Sequence, residues 1–170
     1  LEVGYRGGTE EVAAELALHF EHAGDYHRAV QYLHQAAQEA VRRSGYQEAI
    51  NCATTALSLL KHLEPSSQKA EWELSLDLLL GACFSAAKGY AAAEANEAFS
   101  KARALSRKID NQALLFQSLA GLWSFRFVRG ELNFALELAT DMCELARRGR
   151  NPMSLVHGHM AAGIALFYLA

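Results

Sequence analysis

The chain has 170 residues, 51% of them hydrophobic and 21% charged, and carries a net charge of −3. That length and composition predict one globular domain with a substantial core and exclude a disordered chain. The near-neutral balance gives no electrostatic case for nucleic acid or an acidic membrane, and no apolar run reaches the ~18 residues of a membrane span.

Alanine and leucine dominate and the only prolines are Pro65 and Pro152, a composition that favours helix. Residues 1–8, LEVGYRGG, hold three glycines and read as a linker from an upstream module. Thr9 is placed to cap a first helix, with Glu10 and Glu11 in its first turn, where the dipole favours negative charge. That helix is predicted to run to about His22. Gly24-Asp25 breaks it, and Asp25 opens a second helix that ends at about Ser44, after Arg42-Arg43. A third is predicted over 46–63. In it Tyr46, Ala49, Ala53 and Ala56 repeat the spacing of Tyr26, Ala29, Leu33 and Ala36.

Glu64-Pro65-Ser66-Ser67 is a turn, since proline disfavours helix at the residue before it. A fourth helix follows over 68–87, and Lys88-Gly89-Tyr90 turns into a fifth over 92–109. Asp110-Asn111 opens a sixth over 112–128, with Leu119, Leu122, Trp123 and Phe127 on its apolar side. Gly130-Glu131-Leu132 leads to a seventh that ends at Arg147-Arg148-Gly149. Asn151-Pro152 opens an eighth over 153–170, with proline where its missing N–H costs nothing.

The run Leu16, Ala17, Phe20, then Gly24, Tyr26, Ala29, Leu33, Ala36, resembles the tetratricopeptide repeat, a helix-turn-helix unit of about 34 residues. Leu80-Gly81-x-x-Phe84 and Ala162-Gly163-x-x-Leu166 match its first-helix signature. In that frame the step from Tyr26 to Tyr46 is an irregularity, and the second helix serves two units. The expected fold over 9–170 is all-α: a tetratricopeptide-like α-solenoid of about eight antiparallel helices in a right-handed superhelix. The last signature lacks its second helix, so the chain is expected to be cut in mid-repeat and to be part of a longer protein.

First-helix positions of such repeats line a concave groove. Counted from the signature, these are Glu11, Ala14, Leu18, Glu21 and His22 early in the chain, and Gln117, Ala120, Ser124, Phe127 and Val128 later. The candidate groove contacts are Glu11, Leu18, Glu21, His22, Gln117, Ser124 and Phe127. They include no basic cluster for a peptide carboxylate. Trp123 stands where the repeat usually has a small residue, and is expected to fill a wider gap between helices.

Recognisable chemistry is absent. His19 and His22 share a helix face, but the i, i+4 histidines with an intervening glutamate of a zinc protease helix do not occur. There is no G-x-x-x-x-G-K-[ST] phosphate loop and no G-x-S-x-G nucleophile elbow. Glu10-Glu11 and Glu71-Glu73 read as solvated helix charges. Arg42-Arg43, Arg107-Lys108 and Arg147-Arg148 close helices, which the dipole explains. Cys52, Cys83 and Cys143 lie far apart without metal-ligand spacing, as buried thiols of a reducing compartment do. No catalytic, cofactor or metal residue is therefore assigned, and a cytoplasmic location is expected.

A narrower resemblance covers nearly the whole chain. The runs AAELALHFEHAGDYHRAVQYLHQAAQEAVRRSGYQEAI, KGYAAAEANEAFSKARAL and LWSFRFVRGELNFALELA resemble the repeat region of large bacterial AAA-type signalling ATPases, the predicted ATPase and adenylate/guanylate cyclase family. The resemblance implies an ATPase module upstream, in some members with a nucleotide cyclase domain, and its catalytic residues match no position here. It implies a non-catalytic scaffold that binds a protein partner or regulates the attached ATPase module. The alternative is a small-ligand sensor of the kind found in ATPase-type transcription activators, with Trp123, Phe125, Phe127 and His19 as contacts.

Overall fold

A computed structural model describes residues 9–170, with side chains at residue 13 and at 15–170. The expected linker, residues 1–8, lies outside the described residues. Among these there are eight helices and no strand: α1 Thr9–His22, α2 Tyr26–Arg42, α3 Tyr46–Leu60, α4 Ser67–Lys88, α5 Ala93–Lys108, α6 Gln112–Val128, α7 Leu132–Arg148 and α8 Pro152–Leu169. The fold is an all-α helical-repeat solenoid. Only α3 stops clearly short of its expected end. Its last turn tightens as the N–H groups of Lys61, His62 and Leu63 donate to the carbonyls of Ser58, Leu59 and Leu60, the three-residue spacing of a tapering helix.

Five of the joints are the same turn. Gly24, Ser44, Asp110, Gly130 and Arg150 each take a positive φ, from 49° to 73°. The next residue then donates its N–H to a carbonyl five positions back: Asp25 to Phe20 (2.9 Å), Gly45 to Ala40 (2.7 Å), Asn111 to Ser106 (3.0 Å), Glu131 to Arg126 (2.9 Å) and Asn151 to Ala146 (3.1 Å). This closure satisfies carbonyls left free at a helix end. In three turns the same residue also caps the following helix. Asp25, Asn111 and Asn151 accept from the N–H groups of Arg28, Leu114 and Ser154, each at 3.1 Å.

A helix of 17 residues plus such a turn sets a step of twenty, from Tyr26 to Tyr46 and from Gln112 to Leu132 to Pro152. The sequence reading took the first of these steps for an irregularity. It is the regular step, and a helix pair from Gln112 to Pro152 takes 40 residues rather than about 34.

Gly24 and Gly130 meet the left-handed geometry without steric cost, whereas Arg150 does not. Arg150→Gly is expected to stabilise the fold by about 0.5–1 kcal/mol, and Gly130→Ala to destabilise it by at least as much. Urea midpoints at unchanged m would show both. A lower midpoint for Arg150→Gly would mean that its side chain stabilises the turn in some other way.

Turns of three to six residues make sequence neighbours antiparallel, and each helix packs on the next. Contacts then skip one helix: α2 touches α4, α4 touches α6 and α6 touches α8, with no comparable contacts among the odd helices for the described residues. The array therefore has two layers, and the closer even layer forms its inner, concave side. Small residues allow the approach. Ala29, Ala37, Ala40, Ala49, Ala53 and Ala56 are all fully enclosed between α2, α3 and their neighbours. A second cluster, around Leu119, Leu122 and Met142, fills the C-terminal half.

Phe99 of α5 lies between two glycines, Gly81 of α4 and Gly121 of α6. A Cβ on either would meet its ring at 2.7 or 2.5 Å. The signature expected at Ala162-Gly163-x-x-Leu166 is displaced. Gly163 faces open space and Leu166 is exposed, while Gly158, Ala161 and Ala165 are buried. Gly158 lies so close to Cys143 that a Cβ would meet its Sγ at 2.8 Å.

Candidate functional site

The candidate groove residues fall into two separate sets. Leu18, Glu21 and His22 stand on α1, an odd helix whose main contact is α2. Leu18 and His22 are exposed and Glu21 is half-exposed. The side chain of Glu11 lies outside the described residues. Gln117, Ser124 and Phe127 stand on α6, in the even layer, with Gln117 exposed and the other two half-buried. The structure does not bring the two sets together.

On α6 the aromatic residues form a continuous surface. Trp123 and Phe127, one turn apart, stack with centroids 5.1 Å apart and rings 8° from parallel. Phe127 meets Tyr168 of α8 edge-on at 5.5 Å, and Tyr168 meets Phe167 at 5.4 Å. This ladder crosses from one even helix to the next, beside Val128, which is 54% exposed. Ser124 turns its hydroxyl inward, donating to the Ala120 carbonyl at 3.1 Å. Trp123 packs against the core cluster, and its Nε1 is buried without a hydrogen-bond partner. Sequence reasoning did not single out Phe167 and Tyr168. Their only signal was a pair of aromatics at the end of an apolar run.

Of the residues named for a small ligand, Trp123 and Phe127 stack on each other, whereas His19 and Phe125 lie apart from that stack. His19 is exposed on α1. Phe125 is buried, with the Arg126 and Arg129 guanidiniums over its ring at 5.6 and 5.4 Å. Both arginines also pair with Glu131, and hydrogen bonds from Arg129 and Arg126 hold its carboxyl below the usual range. These charges brace the joint between α6 and α7.

At the other end of the even layer, His34 of α2 and Ser75 of α4 share a hydrogen bond of 2.9 Å, and burial pushes the imidazole pKa down. Tyr26 stacks on His62 at 4.6 Å, and His27 meets the edge of Trp72 at 4.8 Å. Three of the seven histidines are thus engaged in packing between helices. Among the described residues, no group of three His, Cys, Asp or Glu side chains could hold a metal ion, and no helix is long and apolar enough to cross a membrane. No model of a known protein family matches the chain, and no curated protein matches it either.

Proposed function

We propose that this chain is a non-catalytic helical-repeat scaffold whose even-helix face binds a protein partner in the cytoplasm. The observation that supports it is the aromatic ladder Trp123–Phe127–Tyr168–Phe167, which runs across the inner layer with Phe167 74% exposed. Rigid aromatic side chains in a concave surface are the usual anchors of protein interfaces, because they bury much area for few rotors. The resemblance to signalling ATPases extends this reading: the bound partner is then an attached ATPase or cyclase module, held inactive or released.

The test uses the full chain as bait against its host's proteins, with Phe127→Ser and Tyr168→Ser combined. A partner of the even face is expected to bind this double variant at least about tenfold more weakly, the effect of removing an interface anchor. Leu18→Ser, on the odd helix α1, should retain it. Equal retention by both variants would remove the even face from the reading.

A further inference from the structure

Because the odd helices stand apart, the outer side of the array has clefts between them. The cleft between α3 and α5, floored by α4, encloses about 520 Å3. Leu57 and Leu60 give it an apolar wall. Lys61, Lys69 and Lys101 bring three ammonium groups to it, and Glu73 and Asp77 bring two carboxylates. Lys69 is occupied, donating to the Leu63 carbonyl at 2.5 Å, and Lys101 pairs with Glu97 at 2.7 Å. Lys61 is exposed and makes no ion pair among the described residues.

Asp77 is the exception among the buried polar side chains. Ser106 and Ser118 donate to carbonyls of their own helices at 2.7 and 2.8 Å. Asp77 is only 4% exposed, yet it accepts no hydrogen bond and makes no ion pair among the described residues. Its side chain lines the cleft. Its oxygens reach solvent only through the cleft, and a largely buried carboxylate without a protein partner is costly, so that a proton or a ligand in the cleft would stabilise it. Burial pushes the Asp77 carboxyl up to about 6; Lys101 opposes the shift, and Glu73 and Glu97 add to it. The proton is therefore available near neutrality. With Glu97, which pairs with Lys101, three ammonium groups stand against three carboxylates, and protonation of Asp77 leaves one positive charge in excess, enough to host one anion.

We propose that this cleft binds a small organic acid: its carboxylate accepts a hydrogen bond from the Asp77 carboxyl and pairs with Lys61 and Lys101, while its apolar part lies on Leu57 and Leu60. The site is distinct from the even face and does not depend on that reading. Binding takes up one proton, from solvent to Asp77, whenever Asp77 begins ionised.

Calorimetric titration of the full chain with hexanoate, in buffers of different ionisation enthalpy, tests this. Saturable binding is expected below pH 6, with affinity falling about tenfold per pH unit above it and proton uptake approaching one. Asp77→Asn retains an N–H donor and should bind across the same range without proton uptake. Lys61→Ala, changed at an exposed position, should bind severalfold more weakly. Absence of saturable heat in the parent below pH 6, proton uptake that persists in Asp77→Asn, or unchanged affinity in Lys61→Ala would each overturn the proposal. Inorganic phosphate is the control anion, and equally tight, equally proton-linked phosphate binding would overturn the assignment to an organic acid.

Discussion

Asp77→Asn is expected to raise the stability of the fold by about 2 kcal/mol at pH 8 and by almost nothing at pH 4. The side chain is largely buried, its carboxyl opens only on the cleft without a hydrogen-bond or ion-pair partner among the described residues, and burial moves it from 3.8 to about 6. The native state thus holds the proton more tightly than the unfolded chain. The Asp77 contribution to stability is fully present below the unfolded value and is lost as pH rises through the folded one. Above about 6 the ionised group carries a desolvation cost that Lys101 offsets only in part. Asparagine keeps the volume and removes the charge, so the gain is confined to the alkaline side. It also removes the repulsion from Glu73 and Glu97, and with it the attraction of Lys101. Urea midpoints at the two pH values measure the difference. The buffers should be free of carboxylates, since an acid bound in the cleft would stabilise the parent by mass action. An equal midpoint shift at both pH values, or a loss at pH 8, would show that Asp77 has a partner in the folded chain. A group that lowers stability at neutral pH while facing an open cleft is the kind retained for binding rather than for folding.

The helices were legible in the sequence because their ends carry local chemistry. Gly24 and Gly130 supply the left-handed turn, Asp25, Asn111 and Asn151 supply caps, and Pro152 fits only a first helical turn. The step of twenty was visible in Tyr26 and Tyr46, but a 34-residue frame made it look like an exception. Layer membership was not legible. The pattern Leu16, Ala17, Phe20 marks α1 as a first helix, yet whether a helix lies inside or outside depends on which helix it touches two positions away. For the same reason four of the seven expected groove contacts sit on an odd helix. Gly158 and Gly163 look alike locally, and only the position of Cys143 makes one of them necessary. Asp77, within Leu76-Asp77-Leu78, has the spacing of an ordinary polar position. The cleft that gives it significance is formed by residues from three helices.

Gly121→Leu and Phe99→Ala should each destabilise the chain severely, by about 3 kcal/mol or more, and the double variant should cost at least 2 kcal/mol less than their sum. A side chain at a buried glycine is usually accommodated when its neighbour can swing away. Here the neighbour is a ring held from both sides: retreat from Gly121 drives it towards Gly81, where the space left is equally that of a missing Cβ. Overpacking at Gly121 must therefore be relieved by separating α4, α5 and α6. Removing the ring leaves a cavity between two even helices, and leucine at 121 is large enough to fill most of it. Recovery in the double variant would identify the ring as the spacer of the even layer; a purely additive result would mean that the helices adjust independently. The consequence reaches the proposed binding face, because Trp123 lies two residues beyond Gly121 on the same helix. Gly121→Ala, a milder change, should disturb the Trp123–Phe127 stack while the chain remains folded. Its signature is a shift in tryptophan emission under conditions where far-UV circular dichroism is unchanged. If emission stays constant while the urea midpoint falls, the ring spaces the helices without positioning the aromatic ladder.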